Sequence, residues 1–558
     1  MSQMQNEIKT QDYTTVKSLF ICVGFTALYL LIAGSSTLWD RDEPRYARVT
    51  AEMVESGNYL VPTFNGEVWF DKPILLYWLM SVPVRLLGPS EIACRFAGVI
   101  GTAVTLLLTF FIGKKLFDTK SGLWAEAILG TTLLMLFVGS SALVDGTALP
   151  FIVGAMAIFV GRQGEKIRAI DSGAIGVLIG LGMLAKGPLG LLPVFVMIVT
   201  IWFGHKNIGG FIRNFIWVLI AVVIAAGIFL LWAIPANRAT DGELYKVFFG
   251  KHIVGRALSP MEGHGGNFFK YLPYYPAIMV AGFFPWVIFL PGAFSAIISK
   301  RIGNAGARNI LLSWITVTVV LMTFAATKLP HYILFAWPAM AVMVGGTITA
   351  AGKNIFNKQD KKWLRGGVWF SGPVGLGIAG GLISIGHFIK IEGLILPGLI
   401  CGTIVLAMTI ICCYLQVREK FIGTAKVVLA GVLIFITPLL FVLLPAIEAI
   451  KISPHIAKVI QEKTGKDVPV AMYKYAEPTL NFYVGRNITQ LRKTDEVVGW
   501  LKGAETRVLI IPRKDFEDIR QNAGDIAFEE IASKKGINYS KGKEVEVVAL
   551  LVKTQTRQ

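Results

Sequence analysis

Apolar runs, each about long enough to cross a bilayer, recur along the chain up to about residue 450 and then stop. A membrane helix needs roughly 20 mainly apolar residues. On that scale the runs predict about thirteen spans, centred near residues 25, 104, 130, 152, 179, 195, 224, 285, 318, 340, 377, 404 and 436. Lys186-Gly187-Pro188 separates the runs at 179 and 195. An odd number puts the two ends of the chain on opposite sides. The first run, from about Leu19 to Ile32, lacks a small-residue cleavage pattern and reads as a retained span.

Two polar stretches break the rhythm. The first, residues 35–92, opens with WDRDEPRYAR (39–48). Asp42 suits an N-cap and Pro44 a first helical turn. Tyr46, Val49, Met53 and Val54 recur at helical spacing, and Gly57 closes the pattern. A short amphipathic helix on the outer membrane surface is expected. FDKPILLYWLMSVPVRLLG (70–88) predicts a second interfacial helix, entered through Asp71-Lys72-Pro73. The second long break is the loop 236–272, where Lys251, His252 and Arg256 share the polar side of a helical pattern.

After residue 450 the period changes. Ser453-Pro454 predicts a helix start, with the helix running to Lys463. VPVAMYKY (468–475), RVLIIP (507–512) and VEVVALLV (545–552) read as strands, and residues 494–502 and 514–522 as helices. The expected fold is mainly α. A polytopic membrane domain (1–450) with outer loops 35–92 and 236–272 precedes a small soluble α/β domain (451–558).

Composition supports this. The chain of 558 residues is 54% hydrophobic, too apolar for a soluble globule. Its formal charge of +18 need not imply nucleic acid, because basic cytoplasmic loops account for it. Lys and Arg outnumber acids in the loops 114–120, 161–168, 300–308, 353–365 and 418–426. These loops and the N-terminus are expected in the cytoplasm. The remaining turns and the tail then face outward. The five cysteines show neither metal-binding spacing nor a disulfide framework.

Candidate chemistry gathers on that outer set. A charge at the bilayer centre costs roughly 2.5–3.5 kcal/mol, so six in residues 39–48 must line a loop or cavity. Any one of them can be a solvated or snorkelling side chain. Taken together they offer acids (Asp42, Glu43, Asp71) beside cations (Arg45, Lys72), with Tyr46 on the same helix. Asp145 and Lys186 interrupt apolar sequence at turns, and ionisable groups there usually face a cavity. KLPHYIL adds Lys328, His331 and Tyr332. Such cations near an amphipathic helix suit a lipid phosphate. Asp40-Arg41-Asp42 spells DxD without a surrounding nucleotide fold. Gly375-Leu-Gly377-Ile-Ala-Gly380 spells GxGxxG inside a span, where small residues serve close helix packing. Asp71 and His252 are two cation ligands, too few to predict a metal site, and no cofactor is expected.

DRDEPRYA followed by FDKPILLYW resembles the polyisoprenyl-phosphate glycosyltransferases of the GT-C fold, in particular the bacterial aminoarabinose transferases that modify lipid A. VDGTAL (144–149), LAKGPLG (184–190), FFGKHIVGR (248–256), KLPHYIL (328–334) and NFYVGRNITQL (481–491) continue the resemblance along nearly the whole chain. It implies transfer of a sugar from undecaprenyl phosphate to lipid A at the periplasmic face of the inner membrane. It also implies catalytic roles for Asp42 and Asp145, and donor-phosphate binding by Lys72, Arg45, Lys186 and Tyr332. Glu43, Tyr46, Asp71, His252, Arg256 and His331 would line the cavity. Asp71 replaces the glutamate usual in FEKP, and Arg48 an acidic residue usual in PRYAE, so the sugar and acceptor stay open. A hydroxyl acceptor would make Asp42 a general base. A lipid-linked sugar transporter is the rival of another class, and it would need repeated polar breaks at mid-span, which the sequence lacks.

Overall fold

The computed structural model describes residues 2–163, 165–204, 208–248, 250, 271–503, 505–524, 526–538 and 541–553, with side chains from residue 15. Two compact units emerge. One comprises residues 1–33, 70–76 and 95–443, and the other residues 34–69, 77–94 and 444–558.

The first unit is helical and multi-pass. Among the described residues, ten helices are long and apolar enough to span a membrane, or up to twelve if two bent pairs count as one span each. The pairs are Thr119–Gly130 with Leu133–Gly139, bent by 68°, and Tyr274–Gly282 with Trp286–Ile298, bent by 107°. By length alone the expected thirteen are therefore not reached. The difference falls at the runs near 179 and 195, which lie in one segment, Ala169–Gly204. Within it α8 (Ala169–Lys186) and α9 (Leu192–Gly204) flank a tight turn, Gly187–Leu191. Thirteen residues of α9 rise only about 20 Å, less than a hydrocarbon core. The segment nonetheless doubles back. Arg162 and Lys166 ahead of α8 and Gly204 at the end of α9 line the same 450 Å³ cavity.

All five basic loops meet at one end of this unit. Gln163 reaches Asn304 (3.1 Å), Arg301 pairs with Asp360 (3.4 Å), Lys353 with Asp118 (2.8 Å) and Lys361 with Glu419 (3.1 Å). Of the GxGxxG glycines only Gly375 performs the expected packing. A Cβ there would meet Thr409 Oγ1 at 2.2 Å, whereas Gly377 and Gly380 face open space.

The second unit joins the first polar stretch to the tail. Its five-stranded sheet has the order β4 (Ile488–Leu491), β3 (Val470–Tyr473), β5 (Arg507–Pro512), β7 (Lys543–Val552), β6 (Phe528–Asn538). β4, β3 and β5 run parallel, and β7 is antiparallel to both β5 and β6. The helix Ser453–Lys463 packs one apolar face of the sheet, and Thr494–Leu501 with Arg513–Ala523 cover the other. The helix α2 (Asp42–Ser56) forms as its periodicity predicts and ends at Gly57 in the left-handed region (φ 69°). Most of it, from Glu43 to Met53, is buried. Asp42 is not the N-cap; Arg41 takes that position and Asp42 opens the first turn.

Buried polar pairs lock α2 to the tail. Arg48, which departs from the acidic pattern, pairs with Glu52 (2.9 Å) and donates to Asn487 (3.4 Å). Glu52 also accepts from Asn65 and Gly66, at the tip of the hairpin of β1 (Thr63–Phe64) and β2 (Glu67–Val68). Asn65 in turn exchanges hydrogen bonds with both backbone groups of Ile488. Asp40 of the DxD accepts from the amide (2.9 Å) and hydroxyl (2.5 Å) of Thr479, at the start of the helix Pro478–Val484. This use is structural.

Burial raises the Asp40 pKa, although hydrogen bonds with Glu477 and Thr479 and the charge of Lys451 pull it back. Asp40 thus holds its proton to higher pH in the folded chain than unfolded. Its stabilisation is complete below the ordinary carboxyl value of roughly 3.9 and fades as pH rises through the folded value. Hydrogen exchange of residues 478–484 should accordingly quicken with rising pH, beyond its intrinsic dependence. Asp40→Asn, which keeps an acceptor for Thr479, should flatten that extra dependence; an unchanged profile would refute the assignment.

Candidate functional site

The membrane unit is apolar, yet four separate segments bring charge to one place. Asp145 stands in the first turn of α7 (Val144–Gly161), where the helix dipole favours an acid. Lys186 is the last residue of α8, where it favours a cation. Gly187 (φ 64°, ψ −139°) ends that helix in a conformation open mainly to glycine, and a Cβ there would come within 3.1 Å of Phe248. The third segment is the short helical turn Pro330–Ala336, carrying His331 and Tyr332. The fourth, Asp71-Lys72-Pro73, leads into α3 (Leu75–Leu87).

Lys186 donates to Asp145 Oδ1, and both side chains are less than 10% exposed. His331 Nε2 lies 3.8 Å from Asp145 Oδ2. The Lys186 ammonium also faces the rings of Tyr332 (4.9 Å) and Phe335 (5.2 Å), a cation–π arrangement. Lys72 pairs with Asp71 (2.8 Å) and is near enough for its charge to act on Asp145. Among the described residues two carboxylates and two ammonium groups therefore balance, with a histidine beside them.

The structure thus brings together Asp71, Lys72, Asp145, Lys186, His331 and Tyr332. It places Asp42, Glu43, Arg45 and Tyr46 in the other unit, on α2. There Arg45 lies 3.9 Å from Asp42 and packs over the Trp69 ring (5.9 Å). Glu43 is enclosed and accepts from the Trp39 amide (2.8 Å). Tyr46 is buried edge-on to Tyr77. His252 and Arg256 lie outside the described residues. Lys328 has a different task from its neighbours. Its ammonium donates to the carbonyls of Met322 (3.1 Å), Thr323 (2.5 Å) and Ala325 (2.6 Å), capping the end of the helix Ala305–Phe324. Burial lowers its pKa. Sequence reasoning missed Tyr275, a buried residue whose ring faces the Lys328 ammonium (5.5 Å); one tyrosine in an aromatic-rich run carried no signal. Among the described residues no three His, Cys, Asp or Glu side chains gather as a metal site.

Residues 71–232, which contain Asp71, Lys72, Asp145 and Lys186, match the family described as dolichyl-phosphate-mannose-protein mannosyltransferase. The chain has the fold of ArnT from Cupriavidus metallidurans, solved bound to undecaprenyl phosphate. The TM-score is 0.76 at 17% identity, covering 95% of this chain and 97% of that one. It is therefore a multi-pass membrane protein of the GT-C glycosyltransferase fold. Its homologues are enzymes named undecaprenyl phosphate-alpha-4-amino-4-deoxy-L-arabinose arabinosyl transferase. That of Pectobacterium atrosepticum is 29% identical over 396 residues, 69% of each chain. That of Erwinia tasmaniensis is 31% identical over 341 residues, 60% of this chain and 59% of its own.

Removing one member of a buried ion pair leaves a bare charge and typically costs about 3–5 kcal/mol. Lys186→Met alone should lower the unfolding midpoint in detergent, and the double variant Asp145→Asn/Lys186→Met should recover much of the loss. A double variant no more stable than the single would show that the pair is not coupled.

Proposed function

We propose that the chain transfers a sugar, 4-amino-4-deoxy-L-arabinose, from undecaprenyl phosphate to a phosphate of lipid A. The observation that carries this is the cluster of Asp71, Lys72, Asp145, Lys186, His331 and Tyr332 within an apolar membrane unit. The names of the homologous enzymes supply the donor and sugar.

The acceptor phosphate oxygen attacks the anomeric carbon and a new C–O bond forms. The bond from that carbon to the donor phosphate breaks, and its electron pair leaves with undecaprenyl phosphate. Negative charge grows on the departing oxygens. Fixed, poorly solvated cations are most effective there, which is the role given to Lys186 and Lys72. Tyr332 holds Lys186 over its ring while the phosphate displaces Asp145. Freed from the lysine, Asp145 can bind the amino group or hydroxyls of the sugar beside His331. Asp42, assigned from the DRDEPRYA motif, positions the acceptor; an anionic acceptor needs no base. Loop charge sets the sidedness. The five basic loops at one end of the unit are assigned to the cytoplasm of a bacterial inner-membrane protein. The site turns and the soluble tail then face the periplasm.

Lipid A from a transferase-null Gram-negative host expressing the chain should gain the aminoarabinose mass increment. Asp42→Asn, Lys72→Ala and Asp145→Asn, at equal membrane levels, should reduce it by about 100-fold or more, the scale of losing one charge-stabilising group. No increment from wild type, with donor and acceptor present, would reject this substrate pair.

A further inference from the structure

A separate basic pocket lies entirely within the second unit. It has a volume of 460 Å³ and opens where the parallel strands β3 and β4 end. In open sheets the carboxyl ends of parallel strands are where ligands usually bind. From α2 and its approach come Arg41 and Arg45; from the ends of β3 and β4 come Lys474 and Arg492; Lys541 comes from the turn before β7. Glu477 is the one acid among the lining residues. Five cations face one carboxylate, and that carboxylate is itself engaged with Asp40.

Scaffold duties do not use up these cations. Lys474 pairs with Asp515 (2.9 Å) and Arg45 sits 3.9 Å from Asp42. Arg41, Arg492 and Lys541 have no carboxylate within ion-pair distance among the described residues. Like charges collected with fewer counterions than cations repel one another, so the pocket gains most from an anion that several side chains can share. Arginine and lysine together fit phosphate oxygens, the arginines as planar forks and the lysines as point charges.

We infer that this pocket binds the phosphate-bearing headgroup of the membrane-presented glycolipid acceptor, holding it by a phosphate remote from the one that reacts. The inference rests on the proposed transferase reading for the word acceptor; the anion chemistry stands on the pocket alone. The full-length protein in nanodiscs is the material to test. The charge-reversal pair is Arg492→Glu/Lys541→Glu, and the charge-keeping control is Arg492→Lys/Lys541→Arg. The probes are a short-chain bis-phosphorylated glucosamine glycolipid, its dephosphorylated form and inorganic phosphate.

Wild type and the control should bind the phosphorylated glycolipid about tenfold or more tighter than the dephosphorylated one, the scale of a charge-assisted contact. The reversal pair should lose that preference. In turnover it should raise the acceptor KM by a similar factor and leave the donor KM unchanged. Inorganic phosphate binding as tightly as the glycolipid, with the acceptor KM unmoved, would overturn the glycolipid assignment in favour of a free anion. Normal acceptor binding and KM in the reversal pair would overturn the site while leaving the transferase reading standing. Binding that the reversal abolishes, in a wild type that transfers nothing, would support the site and sink the transferase reading.

Discussion

The ion pair between Asp145 and Lys186 is the constraint on which the membrane unit is arranged. Neither charge could be buried alone without a large desolvation cost. Each stands at the helix end whose dipole suits it, the acid at a start and the lysine at a finish. Two helices separated by a turn must therefore present opposite ends to one another. The abrupt stop at Gly187 lets the chain turn immediately after the lysine and return through α9. His331, Tyr332 and Phe335 close around the pair from a segment remote in sequence. Among the described residues the countercharge to each lysine is an internal carboxylate, Asp71 for Lys72 and Asp145 for Lys186.

Much of this was legible in the sequence, and the misses have physical causes. Asp145, Lys186, His331 and Tyr332 stood out because polar groups in apolar surroundings need a reason. Their meeting was not legible, since pairing across 41 residues depends on how helices pack. Hydropathy records the length of an apolar run but not its direction, so it could not show the bent pairs at residues 119–139 and 274–298. In the tail, RVLIIP was read as a strand and is β5 over the same residues, buried throughout. β6 was missed because Glu529, Glu530, Lys534 and Lys535 blur its alternation; pairing along β7 decides its conformation.

The charges of WDRDEPRYAR divide by task in a way that spacing alone did not reveal. Asp40, Glu43 and Arg48 serve the fold, by holding Thr479, the Trp39 amide, and Glu52 with Asn487. Arg41 and Arg45 turn toward a pocket and Asp42 stays partly exposed. Arg48 shows why a departure from a family pattern can be neutral for chemistry. It is an internal cross-link, and its opposite charge is answered by Glu52 one turn along the same helix.

The union of residues 34–69 with the tail also fixes an order of events during synthesis. Asp40 and Thr479 are separated by 439 positions. At a synthesis rate of roughly 5–20 residues per second, about 20–90 s elapse between making one and making the other. Through that interval α2 carries buried-type charges and an unpinned hairpin with nothing to pack against. A segment made among the first is thus among the last to reach its folded state. A nascent chain that stalls before the tail would expose this segment to whatever folding helpers and proteases are at hand.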